Sequence, residues 1–199
     1  RPPVNMIFNG LLTLAIWWQV NGDTRVDIAN MTGSLFIILT NTFMGTFFST
    51  ISVFQIERPV FLREQQLDVR SSALLLDKKY RRPTYFVLVT SLQQLVVYWG
   101  IGYSNNETSF WQMYFTIMFV GQVAAGLGFM LSAACENMEQ SSALSSLITL
   151  PAILFGGLFV NTSTVFKAIG WVQWLSPIRY GFECLCIAEF KPRGLEDFY

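Results

Sequence analysis

An all-α, polytopic membrane helical bundle is the fold class this sequence predicts, and three observations carry the expectation. Of 199 residues, 52% are hydrophobic and only 13% are charged, against about a quarter charged in ordinary soluble domains. Five uncharged runs are each long enough to cross a bilayer, which takes about 17–25 residues. Between them a strongly basic connection alternates with connections that carry glycosylation sequons. Soluble core helices are mostly shorter and broken by charges every few residues.

The uncharged runs are Pro2 to Gly22, Ile28 to Ile56, Pro83 to Asn106, Thr108 to Cys135 and Gln140 to Phe166. With polar ends left at the interface, spans are expected near 3–21, 33–56, 84–103, 110–135 and 140–160, then an extracellular loop over 161–199. The first run follows Arg1-Pro2-Pro3 and has no small-residue cleavage site behind it, so it does not read as a signal peptide. The chain lacks an initiator methionine and is expected to be an internal piece of something longer. The second run holds Thr40-Asn41-Thr42 near its middle. An unsatisfied polar group in hydrocarbon costs several kcal/mol, so Asn41 either bonds a neighbouring helix or lines a cavity. In the fourth run Gly121, Ala124, Ala125, Gly126 and Gly128 permit close backbone approach. Pro151 and Gly156-Gly157 interrupt the fifth, as a tolerated kink or as part of a transport pathway.

Orientation follows from charge. The connection from Glu57 to Arg82 holds Arg58, Arg63, Arg70, Lys78, Lys79, Arg81 and Arg82, seven of thirteen basic residues, and is therefore cytoplasmic. The sequons at Asn30, Asn106 and Asn161 fall in the first, third and fifth connections, all on the opposite side. The short Glu136–Glu139 turn then faces the cytoplasm. In the last loop Trp171 and Trp174 anchor an interfacial or re-entrant helix, and Arg179 and Glu183, four apart, can pair on one helical face. Cys184 and Cys186 are badly spaced to bridge each other, though one can link to a partner subunit.

Several functions are excluded. Zero net charge offers nothing to nucleic acid. The absence of histidine removes Ser-His and Cys-His catalysis and most zinc and haem sites. Cys135, Cys184 and Cys186 lack the spacing of a metal framework, so no metal and no cofactor are expected in this chain. Glu57, Glu136, Glu139 and Glu183 are scattered, and no enzymatic activity is expected.

Four stretches together resemble the membrane domain of the G subfamily of ATP-binding-cassette transporters, an ABC-2 type exporter fold. They are Arg1-Pro2-Pro3, the run from Asn30 through Gly33 to Phe36, the tract Ile56-Glu57-Arg58-Pro59-Val60-Phe61-Leu62-Arg63-Glu64, and the run from Gly157 through Trp174, Arg179 and Glu183 to Phe190. The resemblance covers nearly the whole chain. It implies six spans, of which five plus a re-entrant extracellular loop are expected here and the sixth is absent. It also implies a homo- or heterodimer of half-transporters in membrane lipid, in the plasma membrane by analogy. ATP and Mg would be bound by a nucleotide-binding domain outside this sequence, in cis or in trans, since no phosphate-binding Gly-x-x-x-x-Gly-Lys-Ser/Thr motif occurs here.

By resemblance, substrate sits at the dimer axis between the second and fifth spans. Thr40 and Asn41 match a pocket-lining polar pair, with Met44 beside them. Leu158 and Phe159 match an apolar plug above the cavity. Ser146, Leu150 and Ile153 follow from helical spacing on the fifth span. Glu57, Arg58, Arg63 and Glu64 match the cytoplasmic coupling element. Beyond Glu64, residues 65–83 depart from the family pattern, and the basic cluster Lys78 to Arg82 suits anionic headgroups at about 1 kcal/mol each.

Two functions compete. In the first, this is the transmembrane subunit of an ATP-driven exporter that moves lipids, sterols or amphipathic drugs by alternating access. Asn41, Met44, Phe43, Phe47 and Phe48 would contribute to its cavity, though helical spacing stops all five from facing one way. In the second, it is a structural membrane subunit of a larger complex, without a motor.

Overall fold

The computed structural model describes residues 12, 15, 16, 25–66, 97–103, 106–158 and 170–194. Most of the expected first span, most of the third, the tract from 67 to 83, and Phe159 and Asn161 lie outside them. The described residues are helical and contain no strand. Four helices are bounded: α1 (Arg25–Gln66), α2 (Glu107–Ala134), α3 (Met138–Leu154) and α4 (Pro177–Phe190). A 3-10 turn, Gly170–Leu175, leads into α4, and a second, Lys191–Arg193, follows it. Helical residues 97–101 end at Gly102, whose φ of +83° suits glycine.

Among the described residues two stretches are long and apolar enough to cross a bilayer: 30 residues of α1, Asp27–Ile56, and the 28 residues of α2. At 1.5 Å per residue each exceeds 40 Å, against a hydrocarbon core of about 30 Å. The helix does not stop at Ile56, where a cytoplasmic connection was expected to begin, but continues through Gln66. Nothing between Glu57 and Gln66 except Pro59 opposes a helix. The first stretch of the expected connection is therefore a rigid extension of α1.

Leu35, Leu39, Phe43 and Phe47 recur every four residues on α1 and are at most 1% exposed. Met113, Ile117, Val120, Ala124 and Leu131 form the buried stripe of α2. The two helices meet closely at Gly128, where a Cβ would lie 2.9 Å from the Phe47 carbonyl oxygen. α4 lies across both: a Cβ at Gly181 would stand 2.7 Å from Val120 Cγ2 and 3.1 Å from Leu39 Cδ2. α3 buries only Ser141, Ser145, Thr149 and Ala152, a single small-residue face. Its hydroxyls bond back into their own helix, Ser145 to the Ser142 carbonyl and Thr149 to the Ser145 carbonyl, both at 2.6 Å.

α3 passes through Pro151 but ends at Leu154, short of the expected 160. The Phe155 N–H still reaches the Pro151 carbonyl at 2.9 Å, while the Gly156 N–H bonds Ile153 at 3.0 Å in a tighter turn. Gly157 then takes a φ of +99° and turns the chain away. The glycine pair stops the helix outright, and the 17 residues before it span only about 25 Å.

Candidate functional site

On α1, Asn30, Ile37, Asn41 and Phe48 are exposed at intervals of seven, four and seven residues, and so fall on one stripe. Met44 lies half-buried at its edge. Thr40 is also half-buried, and its hydroxyl oxygen is enclosed without a hydrogen-bond partner. Phe43 and Phe47, expected as cavity walls, are fully buried and stack on each other at 5.8 Å. They occupy the opposite side of α1 and fill the seam against α2. Of the three phenylalanines, only Phe48 stays on the Asn41 face.

α3 presents Ser146 and Leu150 to the outside, Leu150 at 62% exposure, while Ile153 is partly buried against the core. The Ser146 hydroxyl donates to the Ser142 carbonyl at 3.1 Å, so it is satisfied within the helix. Leu158 follows the helix end and is exposed. α1 and α3 pack side by side, which leaves the Asn41 stripe and the outer face of α3 both uncovered. An apolar pocket of ≈ 20 Å³ lies elsewhere, among Leu35, Ile38, Tyr98, Tyr103, Met113 and Ile117. It has room for about one water molecule and is separate from the Asn41 stripe.

At the end of α1 beyond its span-length stretch the side chains make a clasp. The Gln55 amide donates to the Ser132 carbonyl at 3.1 Å, the Ser141 hydroxyl at 2.8 Å and, longer, the Cys135 carbonyl at 3.4 Å. Arg58 Nη1 donates to the carbonyls of Cys135 and Glu136. These carbonyls close the C-terminus of α2, where the helix leaves its last acceptors unpaired and carries partial negative charge. One turn of α1 thus caps α2 and holds α3 at Ser141. Arg58 was expected in coupling, and Glu57, Arg63 and Glu64 share its continuous helix. Sequence reasoning missed Gln55. An amide two residues before the Glu57-Arg58 pair was the signal available.

At the other end, Arg179 lies over the Trp174 ring at 5.1 Å rather than against Glu183, which is exposed. The ion pair of this region is Arg193 to Glu189 at 2.7 Å, with the Glu189 side chain fully buried. Ser176, the residue before α4, donates to the Ala152 carbonyl at 2.8 Å and so caps the end of α3. Cys184 is exposed and Cys186 buried. Burial, with a lesser contribution from the Glu183 charge, pushes the Cys186 thiol up to about 12. The sequons also differ. Asn106 is exposed in extended backbone just before α2. Asn30 sits inside α1 rather than in a connection, and the Thr32 hydroxyl of its sequon is bonded to the Ile28 carbonyl at 2.8 Å. An aromatic cluster surrounds Phe110, with Tyr98 at 5.1 Å and Trp111 at 5.5 Å, the composition of a membrane-interface belt.

The ABC-2 type transporter family matches residues 2–190. The protein white of Ceratitis capitata is 31% identical over 173 residues, which cover 85% of this chain and 26% of that protein. The ABC transporter G family member 1 of Dictyostelium discoideum is 25% identical over 193 residues, covering 94% of this chain and 24% of that protein. The broad substrate specificity ATP-binding cassette transporter of Sus scrofa is 26% identical over 196 residues, covering 92% and 28%. The chain spans about a quarter of the length of these relatives.

Proposed function

Because the chain belongs to the ABC-2 type transporter family, as a membrane domain of the G-subfamily kind, we propose that it forms the translocation path of an ATP-driven exporter. In this reading five spans and a re-entrant loop pair with a second half-transporter in the plasma membrane. Hydrolysis occurs in a nucleotide-binding domain outside residues 1–199. The cytoplasmic extension of α1, carrying Glu57, Arg58, Arg63 and Glu64, takes the push of that domain. The clasp at Gln55 and Arg58 passes the displacement to the α2–α3 turn. A ligand with different affinities for the inward-open and outward-open states is thereby carried across. Asn106 is the proposed glycosylation site.

The observation that carries this reading is Asn41. It lies midway along the span-length stretch of α1, and no other part of the described chain covers it. An amide facing lipid at that depth is costly. The stripe therefore needs either a second subunit or an aqueous path, and a dimer-axis cavity supplies both. Thr40, Asn41 and Met44 would form one wall, Ser146, Leu150 and Ile153 another, with Leu158 and Phe159 above. Apolar side chains around one amide favour flat amphipathic compounds such as sterols, lipids or drugs. The test is Asn41→Leu in the full polypeptide, reconstituted in vesicles with amphipathic dye substrates. Loss of dye export and of dye-stimulated ATP hydrolysis, with basal hydrolysis and dimer content unchanged, is the expected result. Unchanged export would remove Asn41 from the path.

A further inference from the structure

One hydrogen bond joins the C-terminal end of α3 to the start of α4, between residues 24 apart in the chain. A helix leaves its last four carbonyls without N–H partners, and the last turn of α3 is rearranged. The Phe155 N–H reaches back to Pro151, but the Gly156 N–H turns to Ile153 and leaves the Ala152 carbonyl behind. Ala152 and Ser176 are 8% and 2% exposed, so solvent does not supply the missing donor. The Ser176 hydroxyl does, at 2.8 Å. A serine just before a helix, with proline at the first helical position, ordinarily caps its own helix. Ser176 holds that position on α4 and makes no such bond. Its hydroxyl serves the neighbouring element instead. The corner around it is tightly packed. A Cβ at Gly156 would stand 2.8 Å from Phe36 Cε2 of α1 and 3.0 Å from Ile178 Cγ2 of α4, and Phe36 meets Phe182 edge to face at 5.3 Å. Along its length α3 buries only Ser141, Ser145, Thr149 and Ala152, and side chains that small interlock weakly. Its placement therefore depends on its two ends, held by Gln55 at Ser141 and by Ser176 at Ala152.

We propose that Ser176 is a positioning residue of the transport cycle. Through Ala152 it makes α4 and the C-terminal end of α3 one body, so that Leu150 and Ile153, on either side of the tie, move only when α4 moves with them. The inference rests on the translocation reading, in which those two residues form a wall of the path. Helices that shift in a transport cycle slide or rock against their neighbours, and a bond between two of them decides which neighbours travel together.

The test uses the full polypeptide reconstituted in lipid vesicles. Spin labels are placed on Leu154→Cys and on Cys184, both exposed positions, with every other cysteine changed to alanine. Singly labelled proteins give the reference for distances between subunits. The parent is expected to show a narrow distance distribution that shifts, on trapping ATP with vanadate, by less than the ~1–2 Å of a helix shear. Ser176→Ala should broaden the distribution and let it shift on trapping, and Ser176→Thr, which restores a hydroxyl, should return it to that of the parent. Should the alanine protein not fold, Ser176→Gly is the second hydroxyl-free variant, since glycine is tolerated before a helix. In dye export Ser176→Ala is expected to raise KM about fivefold with little change in kcat, the scale of one lost hydrogen bond, and Ser176→Thr to restore it. Thr116→Ala, which removes a hydroxyl-to-carbonyl bond internal to α2, should change neither measurement. A distribution as narrow in the hydroxyl-free variants as in the parent overturns the proposal, as does a parent whose labels separate on trapping. A broadened distribution with an unchanged KM overturns it too, because the tie would then be structural only. Absence of dye export from every protein, parent included, would defeat the translocation reading, whereas the distribution widths test the tie by themselves.

Discussion

Gly126 and Gly128 stand two residues apart on α2 and have opposite surroundings. A Cβ at Gly126 meets nothing within 4 Å, whereas one at Gly128 meets the Phe47 carbonyl oxygen at 2.9 Å and Thr50 Cβ at 3.1 Å. The neighbour at Gly128 is helix backbone, which cannot rotate away, so Gly128→Ala has to push α1 and α2 apart. We expect a loss of about 1–3 kcal/mol, the usual range for overpacking. Gly126→Ala should be neutral, or stabilising by up to about 1 kcal/mol through helix propensity. Thermal unfolding in detergent separates the two. Gln55→Leu removes the donor that serves Ser132, Cys135 and Ser141 and should cost about 1–3 kcal/mol, the penalty of orphaned buried acceptors. The cysteines give a pH test. With its thiol pushed up to about 12 by burial, Cys186 stays protonated through neutral and mildly alkaline pH and should resist maleimide in the folded protein. Cys184, on the exposed face, should label. Labelling of Cys186 at neutral pH would contradict the packing of α4.

The helices show what the sequence could and could not reveal. Long uncharged runs made the existence of α1 and α2 legible, since periodicity and length need no tertiary information. Ends were harder. The fifth span was bounded at 160 with Gly156-Gly157 read as an interruption within it, yet the turn there closed α3 at Leu154, because two glycines remove the constraint that keeps a helix going. At Glu57 the error ran the other way: charge suggested a loop, and a helix carried it. Phe43, Phe47 and Phe48 were equally plausible wall residues by composition, and only the angular position of each on α1 assigned the first two to the core. The Gln55 clasp depends on carbonyls of a helix end far away in the sequence, and no local pattern announces such a partner. Sequons are similarly blind to conformation. Asn30 and Asn106 read alike, but one is locked in a helix and the other precedes one. Asn106→Gln is therefore expected to reduce a glycan shift on electrophoresis of the secretory-pathway protein, and Asn30→Gln to leave it unchanged.

At the scale of the whole molecule, two broad surfaces among the described residues are uncovered, and their chemistry differs. One belongs to α2, where Trp111, Phe115, Phe119, Val123 and Met130 are exposed at mostly four-residue spacing, with the exposed amides of Gln112 and Gln122 on the same face. That surface is mostly apolar, five large side chains to two amides. The other joins the Asn41 stripe of α1 to the outer face of α3, and there an amide and two serines, Ser142 and Ser146, interrupt the apolar residues. Hydrocarbon is the poorer solvent for the second surface, where polar groups are a larger share of the face, so a symmetric dimer should bury it and leave the first to the membrane. A twofold interface is isologous, so a residue close to the axis meets its own copy. In a background without native cysteines, Asn41→Cys should give a cross-linked dimer with a bis-maleimide of about 10 Å reach, longer than the span a disulfide bridges. Phe119→Cys, at 69% exposure on the α2 face, should give only monomer under the same conditions. A dimer linked through residue 119 and not through 41 would place α2 at the axis. The Asn41 face would then line no central cavity, and the translocation reading would fall with it.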